Sequence, residues 1–467
     1  MLNHRGEVDK AKFESELKSQ RNSLKSTETV VSSGPVEVTN ETELETRWVK
    51  DSSGKWVCET GPLPGESVAP GQSLGTLSAS HEEMHGFRGD YAWAAPQCVL
   101  RDSSLARSGY TDLTRDEYED TSEVLAAKVK LLAAMIRDAS FPLAYTVAGI
   151  STASGIPDYA TGSAASRAAL PNRRINPIDA KPSDAHLVLS RLHAAGLLKA
   201  WVQQNHDGLP QKAGFPQAAM NEIHGAWWDP SNPVVKMDGQ LRTDLFEDLL
   251  SLEKRADFCL CVGTSLSGMN ADRVAVDCGD RAKKIARRMP TKGHPGKPPP
   301  SQGLVIVNLQ RTQHDDVSAL RIFAKASVVL NALAVELALP PLDTAMLNSR
   351  IEEAVATPTF IPYSPTDGSR LPEDASGRAP EACRGFKLDM QEGTMMRVAR
   401  GKYAGSAAEV MGRTRDGHFR LGIYLDLCKT GKLSRVPAYL GKWWVLEGKQ
   451  GHVPMFPLVP LGAEEAH

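Results

Sequence analysis

One feature restricts this chain more than any other: short apolar runs alternate with stretches of helical period. The runs are PLAYTV (142–147), LLKAWVQQN (197–205), DFCLCVG (257–263) and GLVIVN (303–308). DTSEVLAAKVKLLAAMIRDAS (120–140) sets Val124, Leu125, Val129, Leu132, Met135 and Ile136 on one helical face. Asp120 reads as its N-cap, with Glu123 closing a capping box. PSDAHLVLSRLHAAG (182–196) reads as a second helix, capped by Ser183 or Asp184 and ended by Gly196. Strands alternating with helices predict βαβ units, hence an α/β chain built on a parallel sheet. In such sheets ligands sit at the carboxyl ends of the strands.

The flanks differ from this middle. Residues 1–85 are polar and rich in Ser, Thr and Glu, which predicts a mostly disordered extension. Within it TRWVKDSSGKWVCET (46–60) suggests a small hairpin. PTKGHPGKPPPSQ (290–302) reads as a surface loop, and 341–385, irregular and Pro-rich, as a linker. From 386 to 463, short runs with Gly-containing turns suggest a small all-β barrel. The net charge of −2 gives no global field toward nucleic acid or membrane, and no apolar run approaches the ~18 residues of a membrane span. The N-terminal MLNHRGEVDKAKFESELKSQ lacks the apolar core of a secretory signal. Seven cysteines, none in a C-x-x-C pair, predict free thiols. Cys259 and Cys261 share one face of a strand and read as core.

The most unusual stretch is TVAGISTASGIPDYA (146–160), small residues and turn formers behind an apolar run. Such a loop can bring bare backbone close to a phosphate. Taken in order with QQNHDGL (203–209), EIHG (222–225), VGTSL (262–266) and IVNLQ (306–310), it resembles the sirtuin family of NAD-dependent protein deacylases. The resemblance runs from about Glu117 to Leu339 and is nearest the class IV, nuclear branch. It implies a Rossmann-like, doubly wound parallel sheet, making 86–340 an NAD-binding catalytic domain. It further implies that Ala148, Gly149 and Ser151 line the phosphates and ribose of NAD, and that Ile156 and Asp158 border the nicotinamide. Gln204, Asn205 and Asp207 would hold the nicotinamide ribose and carboxamide. Gly263, Thr264 and Ser265 would bind the phosphate–ribose stretch, and Asn308 the adenine-side ribose. His224 would be the base that takes a proton from a ribose hydroxyl; imidazole suits that task near neutral pH. Taken singly, His224 reads as a buried or capping histidine, and Asn205 and Asp207 as turn formers. His206 and His314 read as structural or exposed.

The sequence departs from the family at three places that matter and one that is minor. The family's zinc lobe carries two C-x-x-C pairs, a spacing that closes a tetrahedral thiolate site. Here HGAWWDPSNPVVKMDGQLRTDLFEDLL (224–250) has no cysteine, so no zinc is expected, and a short bridge carrying Trp227 and Trp228 replaces the lobe. Val147 stands where the family has glycine. It is strained if that residue needs a positive φ and tolerated if it is extended. Ala160 replaces an arginine near the pyrophosphate; Arg167, Arg173 and Arg174 are candidate substitutes. Pro210 replaces a histidine, a minor change.

The C-terminal module resembles KOW-type, SH3-like barrels, which implies contact with nucleic acid or protein. Arg397, Arg400, Lys402, Arg413 and Arg415 are candidates for a phosphate-binding patch or a solvated face. The implied function is deacylation of acyl-lysine in a protein substrate, with histone and chromatin proteins as candidates. Nicotinamide is released and the acyl group passes to ADP-ribose. The alternatives are ADP-ribosyl transfer or NAD hydrolysis in the same pocket, or an impaired NAD- or ADP-ribose-binding interaction protein. No membrane partner is expected; the implied location is nuclear, otherwise cytoplasmic.

Overall fold

The computed structural model describes residues 46–50, 56–60, 66–67, 74–106, 113–157, 176–236, 239–267, 269–288, 301–356, 358–372, 385–427 and 432–462. The chain divides into two units, Met1–Pro62 and Leu63–His467. In the first, Thr46–Lys50 pairs antiparallel with Trp56–Thr60, the hairpin read from the sequence. The rest of 1–45 lies outside the described residues.

The second unit is built on six parallel strands: β1 (Pro142–Thr146), β2 (Ala200–Gln203), β3 (Met220–Glu222), β4 (Phe258–Val262), β5 (Gly303–Val307) and β6 (Leu320–Ile322). Their spatial order is β6-β5-β4-β1-β2-β3. The chain winds outward from β1 through β2 to β3, then crosses back and winds the other way from β4. The carboxyl ends of β1 and β4 therefore flank the crevice where the winding reverses, the ligand position in doubly wound folds.

Alternation along each strand explains why helices cover both faces. In β4, Phe258, Leu260 and Val262 face a core shared with α1 (Ser122–Asp138), α2 (Asp184–Ala194) and α5 (Ala326–Glu336). Cys259 and Cys261 face the opposite core, against α3 (Thr243–Arg255) and α4 (Arg273–Arg288). Period 2 in the strands and period 3.6 in the helices produce this sandwich directly.

Two helix starts sharpen the sequence reading. Asp120 is not the N-cap of α1. Thr121 is, its Oγ1 accepting the Val124 N–H at 3.4 Å. The Asp120 carboxylate is turned instead to Lys128 Nζ at 2.7 Å and the Phe323 N–H at 2.9 Å. A buried ammonium is the stronger claim on it. For α2 the cap is Ser183, bonded to His186 Nδ1 through both its N–H (3.2 Å) and its hydroxyl (2.7 Å). Residues 74–85, assigned above to the disordered extension, include a helix over His81–His85 with a Ser80–Glu83 capping box.

The described part of 341–385 is likewise no irregular linker. Thr344–Ala356 forms α6, and Thr359–Ile361 pairs antiparallel with Phe386–Leu388. Leu347, Ile351, Ala354 and Val355 of α6 pack into the C-terminal core. That core backs a five-stranded antiparallel sheet of β7 (Met395–Val398), β8 (Ala407–Arg413), β9 (Phe419–Leu427), β10 (Lys432–Leu440) and β11 (Leu458–Pro460), ordered β10-β9-β8-β7-β11. The antiparallel sheet is compatible with the expected barrel, and helix α7 (Trp443–Gln450) follows β10. No described helix is long and apolar enough to cross a membrane.

Candidate cofactor and catalytic site

The loop after β1 leaves the sheet at Val147, whose φ of −134° and ψ of −171° are extended backbone. A β-branched residue is at ease there. Two 3₁₀ turns follow, Ala148–Ile150 and Thr152–Ser154, closed by Gly155 at φ +83°. Thr152 Oγ1 donates to the Gly149 carbonyl at 3.0 Å. The loop also meets the loop after β4, where the Gly149 N–H donates to the Gly263 carbonyl at 3.0 Å. A Cβ on Gly149 would lie 2.7 Å from Gly263 Cα, and one on Gly263 (φ +64°) 2.4 Å from the Ile150 nitrogen. These glycines thus serve the contact of two loops at the reversal point, and the crevice takes its shape from that contact.

Three predicted residues form one hydrogen-bonded set. Ser151 Oγ donates to Asp207 Oδ2 at 2.7 Å. Asn205 Nδ2 donates to Ser151 Oγ at 3.0 Å and to the Val147 carbonyl at 3.2 Å. Asp207 Oδ1 accepts the Leu209 N–H at 3.0 Å. Burial pushes the Asp207 carboxyl up, and the Leu209 and Ser151 bonds oppose that rise. The end of β1 is thereby locked to the end of β2. Ser154, buried in the same loop, has a hydroxyl with no hydrogen-bond partner among the described residues. A polar crevice with an unanswered donor group fits a ligand rich in phosphate and ribose oxygens.

The other predicted residues are placed as follows. Ile156 is half-buried at the end of the same loop, and Ala148 borders Gly149 in the first 3₁₀ turn. Gln204 is turned away from the set, its Nε2 bonding the Tyr145 hydroxyl and, at 3.2 Å, Asp272 Oδ1. Thr264 is buried and its Oγ1 accepts the Leu266 N–H at 3.0 Å; Ser265 beside it is half-buried. Asn308 sits at the end of β5 with its Nδ2 on the Gln310 carbonyl at 3.2 Å. Asp158, Ala160, Arg167, Arg173 and Arg174 lie outside the described residues.

His224 follows β3 directly, so it stands at the carboxyl edge beside the end of β2. Burial, then the neighbouring His206, pulls its pKa down to about 4. The ring is therefore neutral at pH 7. His206 holds the chain turn after it, with Nδ1 2.8 Å from the Gly225 carbonyl. Two residues earlier, Glu222 is fully buried and its pKa is pushed up to about 7, against the Gln217 and Gln203 amides bonded to it at 3.2 Å.

The segment after His224 does more than connect β3 to α3. It turns back at Gly225 (φ +92°), where a Cβ would meet the Pro233 carbonyl oxygen at 2.5 Å. It also drives Trp228 into the C-terminal core. Trp228 is 1% exposed; its ring lies 4.4 Å from His418 and 5.5 Å from Tyr439, with Lys212 Nζ 4.6 Å above it. Its Nε1–H donates to the Asp207 carbonyl at 2.7 Å. One indole thus joins the C-terminal domain to the backbone of a site residue. Sequence reasoning noted Trp228 but had no signal for its partners, which lie some 200 residues downstream. Among the described residues no cluster of His, Cys, Asp or Glu is arranged to hold a metal ion, and the cysteine-free bridge offers no thiolate donors.

The C-terminal cations do not present one open patch. Arg400 pairs with Asp244 at 2.9 Å, Arg413 with Glu352 at 3.5 Å, and Arg397 donates to the Thr366 carbonyl at 2.8 Å. Lys402 lies 5.5 Å from the Tyr403 ring, while Arg415 is exposed.

Comparison with known proteins gives consistent relatives. The chain is 30% identical over 271 residues to NAD-dependent protein deacetylase sirtuin-7 of Bos taurus and, equally, of Homo sapiens. Each match covers 48% of this chain and 64% of the relative, so the chain spans somewhat less than two thirds of these proteins. It is 31% identical over 187 residues to an NAD-dependent protein deacylase of Aeropyrum pernix, covering 28% of this chain and 74% of that protein. A solved Sir2 structure bound to acetylated peptide aligns at 21% identity and a TM-score of 0.35, over 45% of this chain and 99% of that one. No family model matches.

Proposed function

The chain belongs to the sirtuin family, and from that premise we propose that it is an NAD-dependent protein-lysine deacylase. It would release nicotinamide and pass the acyl group to ADP-ribose. The observation that carries this reading is the bonded Ser151–Asn205–Asp207 set that joins the ends of β1 and β2 beside the reversal point of the sheet, with His224 on the neighbouring strand end. Bound NAD supplies an anomeric carbon with nicotinamide as leaving group. Asn205 and Asp207 orient the nicotinamide ribose, and Ser151 fixes the pair by bonding both. Ala148, Gly149, Gly263, Thr264 and Ser265 would border the phosphates, Ile156 the nicotinamide, and Asn308 the adenine-side ribose. Gln204 does not offer its amide to the site, since that amide is held by Tyr145 and Asp272. His224, kept uncharged by burial, accepts the ribose hydroxyl proton.

The co-substrate is an acyl-lysine in a protein. A nuclear protein substrate is the finer reading, supported by the resemblance of the loop motifs to the nuclear branch. The C-terminal domain fits protein contact better than phosphate binding, because its arginines are largely engaged within the chain. The decisive experiment incubates the protein with NAD and an acetyl-lysine peptide and follows nicotinamide and O-acetyl-ADP-ribose. Peptide-dependent release is expected, and His224→Ala should abolish it. Peptide-independent release points instead to NAD hydrolysis. No release, with no NAD binding by calorimetry, rejects catalysis altogether.

A further inference from the structure

A groove of about 340 Å³ is lined in part by Ala226, Trp227 and Val234, on the segment that follows His224 in the chain. Its walls come from both domains. On the catalytic side stand Trp227 and Val234, with Ile178 above them; on the other side stand Pro437, Ala438 and Tyr439 of β10. The catalytic wall is tied to His224 twice. The chain leaves His224 through Gly225 and Ala226 into Trp227, and the Val235 N–H returns to the His224 carbonyl at 2.9 Å. Trp227 is also anchored by its N–H on the His206 carbonyl, again at 2.9 Å.

We propose that β10 supplies the second wall of the substrate cleft, and that this groove seats the apolar residues flanking the acyl-lysine of the protein substrate. The inference rests on the deacylase reading and deepens it by assigning specificity to residues outside the NAD-binding domain. The lining is aliphatic, aromatic and proline-rich. Its acid, Asp229, is turned into its own bonds with Ser231 and an ion pair with Arg242 at 3.7 Å. An apolar occupant is therefore favoured over a charged one. The occupant is a side chain rather than an added strand. β10 is the end strand of its sheet, and exposed Pro437, paired on its inner side with Gly422, has no N–H to offer a further strand.

The test uses the full chain and two fluorescein-labelled acetyl-lysine peptides, one with leucine and one with aspartate on either side of the acetyl-lysine. Binding is read by anisotropy, NAD binding by calorimetry, and turnover by nicotinamide release. The leucine peptide should bind about tenfold tighter, the worth of one buried aliphatic side chain. Pro437→Glu, an exposed position on the far wall, should erase most of that preference while leaving NAD affinity and melting temperature unchanged. Tyr439→Ser should also weaken the leucine peptide, with a loss of melting temperature because its ring packs on Trp228. The proposal is overturned if wild type binds neither peptide or shows no preference, or if Pro437→Glu retains the preference in full. Peptide preference without any nicotinamide release would leave the groove standing and reject the deacylase reading.

Discussion

Replacing Trp228 separates two contributions that the structure joins in one residue. The indole is almost wholly buried among His418, Tyr439 and Trp443, and its N–H is bonded to the Asp207 carbonyl. Trp228→Ala removes both the packing and the bond. A buried aromatic cut to alanine costs about 3–5 kcal/mol, a large share of the roughly 5–15 kcal/mol that hold a domain folded. Trp228→Phe keeps most of the packing and leaves the Asp207 carbonyl without its donor, costing about 1–3 kcal/mol. Urea unfolding at constant m reads both losses, and calorimetry with NAD reads the effect on the site. Because Asp207 is displaced through its backbone, the phenylalanine variant should lose NAD affinity out of proportion to its modest loss of stability. If both variants unfold within about 0.5 kcal/mol of wild type and bind NAD equally, the indole does not couple the domains.

Gly263→Ala should lower both melting temperature and NAD affinity, since φ is +64° and the new Cβ would fall 2.4 Å from the Ile150 nitrogen; thermal melts and calorimetry check it. Val147→Gly should bring no relief, because Val147 is extended; a loss of about 1 kcal/mol in chemical denaturation is expected, and a gain would contradict the loop conformation. Stability should fall as pH drops from 6.5 toward 3. His186 and His418 are held at about 3 and His224 at about 4, chiefly by burial, so in that window the unfolded chain binds more protons than the folded one. The stability these neutral rings confer is complete above pH 6.5, and His418→Phe should flatten the acid limb of a melting-temperature profile.

The β1, β2, β4 and β5 runs and the loops after them were legible because each is an unbroken apolar stretch ending in small or polar residues. β3 and β6 were not. Met220–Glu222 and Leu320–Ile322 are three residues long, too short to show a period, and join the sheet only because their neighbours are already in place. Helix α6 carried a readable signal. Leu347, Ile351, Ala354 and Val355 fall at i, i+4, i+7 and i+8, but prolines on both sides made the region look like linker. Among site residues, the local order of the loops indicated Ser151, Asn205 and Asp207. The turn of Gln204 toward Tyr145 and Asp272 depends on a tertiary neighbour that no local pattern announces.

The seat of Trp228 also bears on how the molecule comes into being. Its partners His418, Tyr439 and Trp443 are made roughly 200 residues after it, which at bacterial to eukaryotic elongation rates is a delay of about 10–40 s. Throughout that interval the nascent α/β half carries an uncovered indole, and the backbone of Asp207 lacks its lasting anchor. The site thus matures only when residues 418–443 arrive, and a ribosome that stalls before them leaves a sticky, unfinished chain for chaperones to hold.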